Sequence, residues 1–378
     1  MKLKQRRYIE GDATHINQLY RRITKIDRSM EKFEWEWLNT WNGQGDMALL
    51  FEEGENGQEV LVAQYSLIPV PLSFFGRQVL AGKTENCMCN PDYRKKNIYI
   101  SHEKESFEQA KERFSVFYTT AGRVSNWAIA KIRGKMGYTP LDSWSSYFFC
   151  LKRQSLMVFI LSQLKKDTFS STILRICVSI ASYLFTFYGK LRLLLLNNGM
   201  AGEVQLENSA IIDKVVNLWE KNKSSYGVTI DRNRRYLKWR LLENPNYQYQ
   251  FLTITKRGVL KGYIVFFIDK NNILHIEDVL VDKKSRKELG KLIKDLLYWA
   301  VSKNLSGIHC KILSGNGFLG RSLLKRGFIN LRMYAFHEKI SKTKKQFLVY
   351  LPPFFLNDER VKVRSNWYIT NLASEGRE

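Results

Sequence analysis

The two halves of this 378-residue chain carry the same sequence landmarks in the same order. Each half has a tryptophan with an asparagine five residues later, a glutamate at the start of a strand-like segment, and an asparagine eleven residues before a glycine–aromatic pair. In the first half these are Trp37 and Asn42, Glu85 in ENCMCN (85–90), and Asn126 before Gly137 and Tyr138. In the second half they are Trp239 and Asn244, Glu277 in EDVLVD (277–282), and Asn316 before Gly327 and Phe328. The offsets of 202, 192 and 190 residues change slowly, so we interpret the chain as a duplicated domain.

The order of the predicted secondary-structure elements is also shared by the halves. The first half begins with a short strand at 6–10 and a helix from the N-cap Asp12 to Arg22, followed by strands at 59–70 and 83–90 and a helix at 100–114. The second half has helices at 209–221, 286–302 and 316–326, with strands between the first two. The pattern predicts the α/β class, as two domains that each have a mixed, mostly antiparallel sheet with helices on both faces. We place the domains at 1–152 and 203–378, joined by an apolar helical linker at 153–202.

The linker is the most apolar part of the chain. Its longest uncharged run, Ile176–Gly189, has 14 residues, whereas a membrane-spanning helix needs about 20. We therefore favour a pair of helices that packs against both halves over a transmembrane span. A third interpretation is a helix that lies in a membrane interface, with Lys190 and Arg192 reaching the headgroups.

The net charge of +24 limits the kinds of partner that suit this chain. It favours an anionic partner, such as a phosphorylated cofactor, nucleic acid or an anionic membrane face, although a solvated basic surface would give the same composition. No recognised nucleic-acid-binding module is visible, so nucleic acid is not the partner we expect. The five cysteines are odd in number and include no Cys-x-x-Cys pair, which favours a reducing cytoplasm over a disulfide framework. The basic N-terminal segment is not followed by an apolar stretch and does not resemble a secretory signal.

The stretch NPDYRKKNIY (90–99) lies between a predicted strand and a predicted helix. A helix N-terminus presents unpaired N–H groups and a partial positive charge, so a phosphate would bind well at such a place. Glycines usually let the backbone approach a phosphate, and this stretch has none. Asparagine is the non-glycine residue that best tolerates a positive φ, so Asn97 can replace a glycine at modest cost. Arg94, Lys95 and Lys96 would add ion pairs.

With its strand, proline-containing turn, basic loop and helix, this stretch resembles the signature region of the GNAT superfamily of acyl-CoA-dependent N-acyltransferases. The family pattern is Arg or Gln, two residues, Gly, one residue, then Gly or Ala. Arg94 matches the first position, whereas Asn97 and Tyr99 stand at the two small-residue positions. The later family element, an asparagine separated by ten residues from a glycine–aromatic pair, is present in both halves. The resemblance covers most of residues 5–150 and, more loosely, 204–340, and implies two GNAT-like domains, because tandem members with one degenerate half occur in this superfamily.

The resemblance implies acetyl-CoA, or another acyl-CoA, as the acyl donor and requires no metal. It assigns the pantetheine arm and the acyl carbonyl to backbone N–H groups around Met88, Cys89 and Asn90. It assigns the diphosphate of the donor to a loop and the following helix start, with residues Arg94, Lys95, Lys96, Asn97, Ile98 and Tyr99. It also assigns Asn126, from the later family element, to the binding site of the acyl donor. The alternative for 94–99 is a solvated basic turn in a degenerate domain.

Attack of an amine on a thioester requires removal of a proton and polarisation of the carbonyl. Glu85 is the candidate general base, acting directly or through a water, although a strand-end glutamate in an ordinary salt bridge is the other interpretation. The family often has a tyrosine acid four residues before the glycine of the glycine–aromatic pair, where this chain has Arg133 and Leu323. A thiol has a pKa of about 8.5 and its thiolate leaves readily, so this absence does not exclude catalysis. The five histidines show no metal-ligand spacing.

The second half departs further from the family pattern. Its stretch DKKSRKELGKL (282–292) keeps Arg286 but has Leu289 and Lys291 at the glycine positions, so we expect no cofactor there. The segment DRNRRYLKWR (231–240) either holds an anionic acceptor, such as a nucleotide-sugar or lipid phosphate, or is a solvated helix face with Tyr236 and Trp239 packed inside.

Together these observations predict a cytoplasmic N-acetyltransferase that moves an acetyl or other acyl group from CoA to an amine on a sugar or a surface-polymer precursor. Two alternatives stay open: a non-catalytic tandem GNAT-like binding protein, and a Fem-type aminoacyl-tRNA-dependent transferase. The linker allows peripheral contact with the inner face of the membrane through 172–196.

Overall fold

The computed structural model describes residues 2–54, 57–94, 97–121, 127–163, 172–196, 210–283, 287–313, 317–331 and 346–374. The strands in these ranges are β1 (Lys2–Arg7), β2 (Asp46–Glu53), β3 (Glu59–Phe74), β4 (Arg77–Thr84), β5 (Met88–Cys89), β6 (Val116–Ala121), β7 (Thr139–Cys150), β8 (Val228–Ile230), β9 (Gln250–Lys256), β10 (Val259–Ile268), β11 (Ile273–Val281), β12 (Gly307–Leu313), β13 (Ile329–Asn330), β14 (Gln346–Tyr350) and β15 (Trp367–Tyr368).

The α-helices are α1 (Ala13–Thr24), α2 (Met30–Phe33), α3 (Ile98–Ala110), α4 (Trp127–Lys135), α5 (Ser155–Gln163), α6 (Thr172–Leu195), α7 (Ala210–Asn222), α8 (Arg234–Leu237), α9 (Lys287–Ser302), α10 (Gly317–Leu324), α11 (Pro353–Leu356) and α12 (Glu359–Lys362). Two short π-helices, Glu34–Leu38 and Lys238–Leu242, continue α2 and α8 without a break. The 3₁₀-helices are Pro91–Tyr93, Lys223–Ser225, Arg364–Asn366 and Asn371–Ala373.

All the strands belong to one continuous sheet, whose main path runs β1-β2-β3-β4-β6-β14-β7-β12-β11-β10-β9. Neighbouring strands are antiparallel except β4 with β6, β11 with β12, and β8 with β15. The predicted α/β class, with a mixed and mostly antiparallel sheet, is therefore confirmed. The boundaries at 152 and 203 stay a prediction.

The middle of the sheet is made from strands that the two halves exchange. Each half has a parallel pair on the main path of the sheet: β4 with β6 at Ala81–Lys83, and β11 with β12 at Ile273–Ile276. The last strand of the first half, β7, pairs along its outer part with β12 of the second half, and β14 of the second half lies between β6 and β7. The largest apolar cluster also contains side chains from both halves.

The first landmark of the repeat is in a different place from the one that the sequence indicated. Ser29 and Asn233 cap α2 and α8 by accepting the N–H groups of Lys32 and Tyr236, and a π-helix follows each. The capped turns are 204 residues apart, which puts Trp35, not Trp37, opposite Trp239. The Trp–Asn spacing was misleading because two tryptophans lie in the same π-helical turn.

The strand predicted at 83–90 is interrupted in the structure. β4 ends at Thr84, and pairing with the same neighbour, β3, resumes at Met88. Thr84 pairs with Leu67 and Met88 with Gln64, so the chain has one more residue than β3 over this stretch, and Asn86 within this bulge has a left-handed φ of 48°. The sequence analysis also did not predict β2 or β14. The predicted helices at 100–114, 286–302 and 316–326 are present within a few residues as α3, α9 and α10.

The linker contains two helices, as predicted. α5 packs on β7 through the buried Leu156 and Phe159. The ring of Phe159 packs against that of Phe148, with the ring centroids 4.9 Å apart. α6 lies along β7 as well, where a Cβ on Gly189 would come within 2.7 Å of the Cys150 carbonyl oxygen. In the part of the chain that the structure describes, no helix combines the length and the apolar character needed to cross a bilayer.

Candidate functional site

A gap opens in the first half where β4 and β6 stop pairing. The two strands are paired at Ala81–Lys83 with Val116–Tyr118, and beyond this point the chain at 85–89 keeps its pairing with β3 but has no described pairing with β6. The Glu85 N–H donates to the Ser66 carbonyl oxygen, and Met88 and Cys89 pair with Gln64 and Ala63. Since no described ladder joins 85–89 to β6, one edge of this segment faces the gap.

The helix that begins beside this gap is α3, and its N-cap is Asn97. The backbone of Asn97 is left-handed, with φ of 56° and ψ of 1°. The sequence analysis expected this residue to adopt such a conformation in place of a glycine. Its side chain accepts no capping hydrogen bond, so the first-turn N–H groups of α3 are not satisfied by this cap. Asn97 is also exposed, so a ligand can reach the helix start.

The turn between β5 and α3 is held by a network of side chains. Arg22 of α1 donates to Asn90 Oδ1 at 2.9 Å and to both carboxylate oxygens of Asp92 at 2.8 Å. Asn90 also caps the 3₁₀-helix Pro91–Tyr93 by accepting the Asp92 N–H, and the Tyr93 hydroxyl donates to Glu52. The turn is thus fixed to α1 and β2 before the basic residues begin.

The residues predicted to bind the pantetheine arm differ in whether their backbone N–H groups face the gap. The Asn90 N–H donates to the Val62 carbonyl oxygen at 2.8 Å, and alternation along the strand directs the Met88 N–H to β3 as well. Of the three predicted pantetheine ligands, therefore, only Cys89 has its N–H on the open edge. Burial raises the pKa of the Cys89 thiol, and the nearby Arg94 cation offsets part of this.

Other predicted ligands are in the interior or outside the described residues. Arg94 is exposed at the end of the 3₁₀-helix, whereas Ile98 and Tyr99 pack against Leu50, Val62 and Ala63. Tyr99 thus points away from the helix start, as expected of a residue one step further into the helix. Lys95, Lys96 and Asn126 of the first half, and Arg286 and Asn316 of the second, lie outside the described residues.

The corresponding gap in the second half is filled by the chain itself. β11 and β12 are paired at Ile273–Ile276 with Gly307–Cys310, and beyond this point the segment 367–373 lies between them. The Tyr368 hydroxyl donates to the Val279 carbonyl oxygen at 2.6 Å, and the Leu313 N–H donates to the Ile369 carbonyl oxygen at 3.1 Å. A pantetheine arm would have to displace this segment.

A cavity of about 350 Å³ lies next to this filled gap, near the end of β11 and the start of α10. Tyr226, Lys283, Phe318 and Tyr368 are among its lining residues. The start of α9, which corresponds to the family's phosphate-binding loop, also has little room for a phosphate. Leu289 stands at a glycine position and is buried, and Arg326 closely approaches Gly290. Arg326 Nε donates to the Gly290 carbonyl oxygen at 2.7 Å, and a Cβ on Gly290 would overlap the guanidinium.

Comparison with known proteins identifies this arrangement of strands and gaps. No family model and no curated protein matches the chain. Among solved structures, a probable N-acyltransferase of unknown function from Enterococcus faecalis V583 has a TM-score of 0.60 and 11% identity, covering 92% of this chain and 72% of that one. A GCN5-related N-acetyltransferase from Anabaena variabilis gives 0.58 and 10%, with coverage of 92% and 72%. Saccharomyces cerevisiae N-myristoyltransferase with bound myristoyl-CoA gives 0.51 and 14%, with coverage of 93% and 79%.

The chain has the GNAT fold. At 10–14% identity the similarity concerns the fold alone, so the chemistry has to be argued from this chain's own residues.

The position of the usual GNAT tyrosine acid is filled here by a buried arginine. Arg133 of α4 donates to Glu103 of α3 at 2.9 Å and to the Thr119 hydroxyl of β6 at 2.7 Å. Burial opposes its charge, but Glu103 together with the nearby Cys87, Tyr99 and Tyr138 outweighs this and keeps the pKa of Arg133 well above its usual value. Arg133 therefore cannot act as an acid. Burial also raises the pKa of the nearby Cys87 thiol to about 11 and that of the Tyr99 hydroxyl well above its usual value, so both stay protonated.

Glu85, the predicted general base, is part of a salt bridge in this GNAT fold. Lys83 Nζ donates to Glu85 Oε2 at 2.6 Å, and both side chains are almost fully buried. A second buried pair, Arg28 with Glu36 at 3.2 Å, lies nearby, and the Glu85 carboxylate helps to stabilise the Arg28 cation. The sequence analysis missed Lys83, Arg28 and Glu36. A lysine in the otherwise apolar end of β4 was the signal that could have indicated Lys83.

The two halves of the GNAT fold meet at a small cavity of about 10 Å³, with room for about one water. Charged side chains from both halves line it: Glu36 and Lys83 from the first, and Arg240 from the second. Trp35, Trp239 and Ser374 complete the wall around these groups. The cavity brings Arg240 of the second half close to Lys83, the ion-pair partner of Glu85.

The arginines of 231–240 are divided between the interior and the surface. Arg232 and Arg240 are fully buried and pair with Asp278 and Glu277 of β11. Arg234, Arg235 and Lys238 are exposed, and Tyr236 and Trp239 are buried. This matches the interpretation of a packed helix with a solvated face, except that two of its arginines are structural ion-pair partners.

No group of three or more His, Cys, Asp or Glu side chains that could hold a metal is found in the described ranges.

Proposed function

We propose that this protein is a CoA-dependent acyltransferase that binds its acyl donor in the gap of the first half. The observation that carries the proposal is the left-handed Asn97 at the N-cap of α3, which gives the chain the backbone path of a phosphate-binding loop without a glycine. Arg94 is exposed, and its charge is close enough to Cys89 to act on the thiol. The donor diphosphate would bind the α3 N-terminus, and the pantetheine arm would pair with the open edge.

A bound acyl-CoA supplies an activated thioester, and the residues of the chain orient it and handle the proton. The Cys89 N–H would polarise the acyl carbonyl, since it is the predicted ligand left on the open edge. Glu85 would accept the proton of the attacking amine, through a water if the distance requires it. Lys83 holds this carboxylate in place, and its own charge favours the ionised form that a base needs.

We assign the acceptor to the side where the halves meet, next to Glu85, and we propose that the second half has lost its own donor site. The segment 367–373 in the second gap supports this division of roles. Each half has a short capped helix that continues into a π-helix, α2 in the first and α8 in the second. This match supports an origin by duplication, with domains at 1–152 and 203–378. Acetyl as the acyl group and an amine on a sugar or surface-polymer precursor as the acceptor are further parts of the proposal.

The test is calorimetry with acetyl-CoA and with longer acyl-CoA thioesters on the wild type and four variants. Asn97→Val should abolish binding because a β-branched residue rarely adopts a positive φ, and Arg94→Ala should weaken it about tenfold through loss of one ion pair. Asn304→Val is the matched control, since Asn304 is also exposed with φ of 53° but lies after α9. If the wild type binds no acyl-CoA and only Asn97→Gly does, the loop is a relic and the proposal is wrong.

A further inference from the structure

Helix α6 presents a long apolar stripe to the outside of the molecule. Nine of its large apolar side chains are 39–78% exposed: Ile176, Ile180, Tyr183, Leu184, Phe187, Tyr188, Leu191, Leu194 and Leu195. Single exposed apolar residues are ordinary on a protein surface, but nine on one helix form a contiguous patch, and such patches mark interaction sites. We call this patch the α6 stripe.

Helix α6 is amphipathic, with the α6 stripe on one side and its buried residues on the other. At about 100° per residue its members span an arc of about 140°, while the buried Val178, Ser182, Thr186 and Gly189 lie on the opposite side. Lys190 projects about 20° beyond one border of the stripe and Arg192 about 40° beyond the other. Lys190 is exposed and is positioned to reach the headgroups beside an embedded apolar face.

The helix is fastened to the body of the protein through its other side. Arg192 donates to the Lys325 carbonyl oxygen of the segment after α10, and the Tyr298 hydroxyl of α9 donates to the Leu193 carbonyl oxygen at 3.4 Å. Because α6 is held in this way, the stripe stays on the outside when the protein is folded.

The surface beside the stripe is basic. Lys294 of α9 lies 5.7 Å from the ring centroid of Tyr298, next to Leu193, and Lys325 is exposed beside Arg192. The acidic residues of α9, Glu288 and Asp295, are buried, and Glu288 pairs with Lys291 at 3.2 Å. The chain as a whole has a net charge of +24.

We propose that α6 lies in the interface of an anionic lipid bilayer, with the α6 stripe among the acyl chains and the exposed Lys190 and Lys325 at the headgroups. An amphipathic helix of this kind binds through buried apolar area together with attraction to anionic lipids, at about 1 kcal/mol for each cation near the surface. A second copy of the chain would suit the stripe less well, because two strongly basic surfaces would be brought together. The inference does not depend on the proposed acyl transfer.

The experiment is co-sedimentation of the full chain with phosphatidylcholine vesicles that contain or lack phosphatidylglycerol. We expect binding to the anionic vesicles, weaker binding at high salt, and at least about a tenfold loss in Phe187→Asp/Leu194→Asp, whose changes place charge in the stripe. Both positions are highly exposed, at 63% and 78%, so the variant should fold, which circular dichroism would check. Val259→Asp is the matched control, because Val259 is 47% exposed in the β9–β10 hairpin and should leave binding unchanged.

Two outcomes would overturn the proposal. One is a wild type that binds neither type of vesicle. The other is a wild type that sediments as a dimer in the absence of lipid and becomes a monomer in Phe187→Asp/Leu194→Asp, which would make a second copy the occupant of the stripe. A Lys190→Glu variant separates the two contributions, because it should weaken binding only to vesicles that contain phosphatidylglycerol.

Discussion

Trp35 and Trp239 donate their indole N–H groups to each other's backbone carbonyl oxygens, at 3.0 and 2.9 Å, across the boundary between the halves. Their rings are stacked, with centroids 5.0 Å apart and planes inclined by 20°. Both residues are buried in corresponding π-helices. The reciprocal contact is what a local two-fold relationship between the halves produces, and it clamps them at the cavity that Glu36, Lys83 and Arg240 line.

The first prediction concerns this clamp. Trp35→Phe and Trp239→Phe each remove a buried hydrogen bond and leave a carbonyl without its donor, so each should lower the free energy of unfolding by about 1–3 kcal/mol. The stacked pair should be coupled by about 0.5–1.5 kcal/mol in a double-mutant cycle, measured by urea unfolding. Trp367→Phe is the control: its N–H donates within one half, to the Val361 carbonyl oxygen, and its effect should add to that of Trp35→Phe.

The second prediction concerns the buried pair of Arg232 and Asp278. Burial alone would raise the pKa of Asp278, but the ion pair with Arg232 and the hydrogen bonds from Tyr263 and Thr370 outweigh it and lower the pKa. In the wild type this carboxylate therefore stabilises the fold above an unfolded-state pKa of about 3.9, and the stabilisation is lost as the pH falls through the lower folded-state pKa.

Arg232→Met should reverse the sign of this pH dependence. The variant leaves Asp278 charged and buried without its cation, which should cost about 3–5 kcal/mol of unfolding free energy at pH 7. Since burial then raises the pKa of Asp278, the stability of the variant should increase as the pH is lowered from 7. The control is Arg234→Met at the exposed pair with Asp213, where a change within about 0.5 kcal/mol is expected. A variant that kept the wild-type pH slope in urea unfolding would contradict the structure.

The third prediction concerns His102, which is buried between Gln5 and the Ala48 carbonyl oxygen. Burial lowers the pKa of His102 to about 4. Between an unfolded-state pKa of about 6.5 and this value, the unfolded chain binds a proton that the folded chain does not. The stability contribution is therefore present above about pH 6.5, and about 3 kcal/mol is lost as the pH falls to 4.

His102→Gln should remove most of this slope in unfolding experiments between pH 4 and 7, while His15→Gln should retain it. An NMR titration in which His102 takes up its proton near the ordinary imidazole pKa would show that the ring is not buried as described.

The fourth prediction concerns Lys83 and Glu85 in the proposed reaction. Glu85→Gln removes the base but keeps the shape, so kcat should fall by about a hundredfold or more while KM for the acyl-CoA changes little. Lys83→Met should also lower kcat, because Glu85 loses the side chain that holds its carboxylate in place. Glu53→Gln at the edge of the sheet is the control and should leave kcat unchanged. A Glu85→Gln enzyme with full activity would exclude this residue as the base.

Local backbone conformation could be predicted from the sequence better than the hydrogen-bond and ion-pair partners that the fold brings together. Asn97 could be predicted because the need for a positive φ at a helix start restricts the residue types that suit it. The partners of Cys89 and Asn90 could not be predicted, because the bulge at Asn86 changes which residues direct their N–H groups to β3 and which to the gap. Lys83 and Arg28 were missed for a related reason, since the carboxylates that permit their burial are fixed only by the packing of the fold.

The exchange of β7 and β14 means that the two halves are interlocked, and that neither is a complete folding unit. A fragment of 1–152 would lack the strand that covers β6, and a fragment of 203–378 would lack the strand that covers β12, so each would expose unpaired backbone groups and aggregate. A chain cut between residues 163 and 172, in contrast, should stay assembled after proteolysis and separate only in denaturant. If the halves did arise by copying, the single-domain ancestor would have needed a partner of its own kind to complete its sheet, so this chain would be a dimer made permanent by a linker.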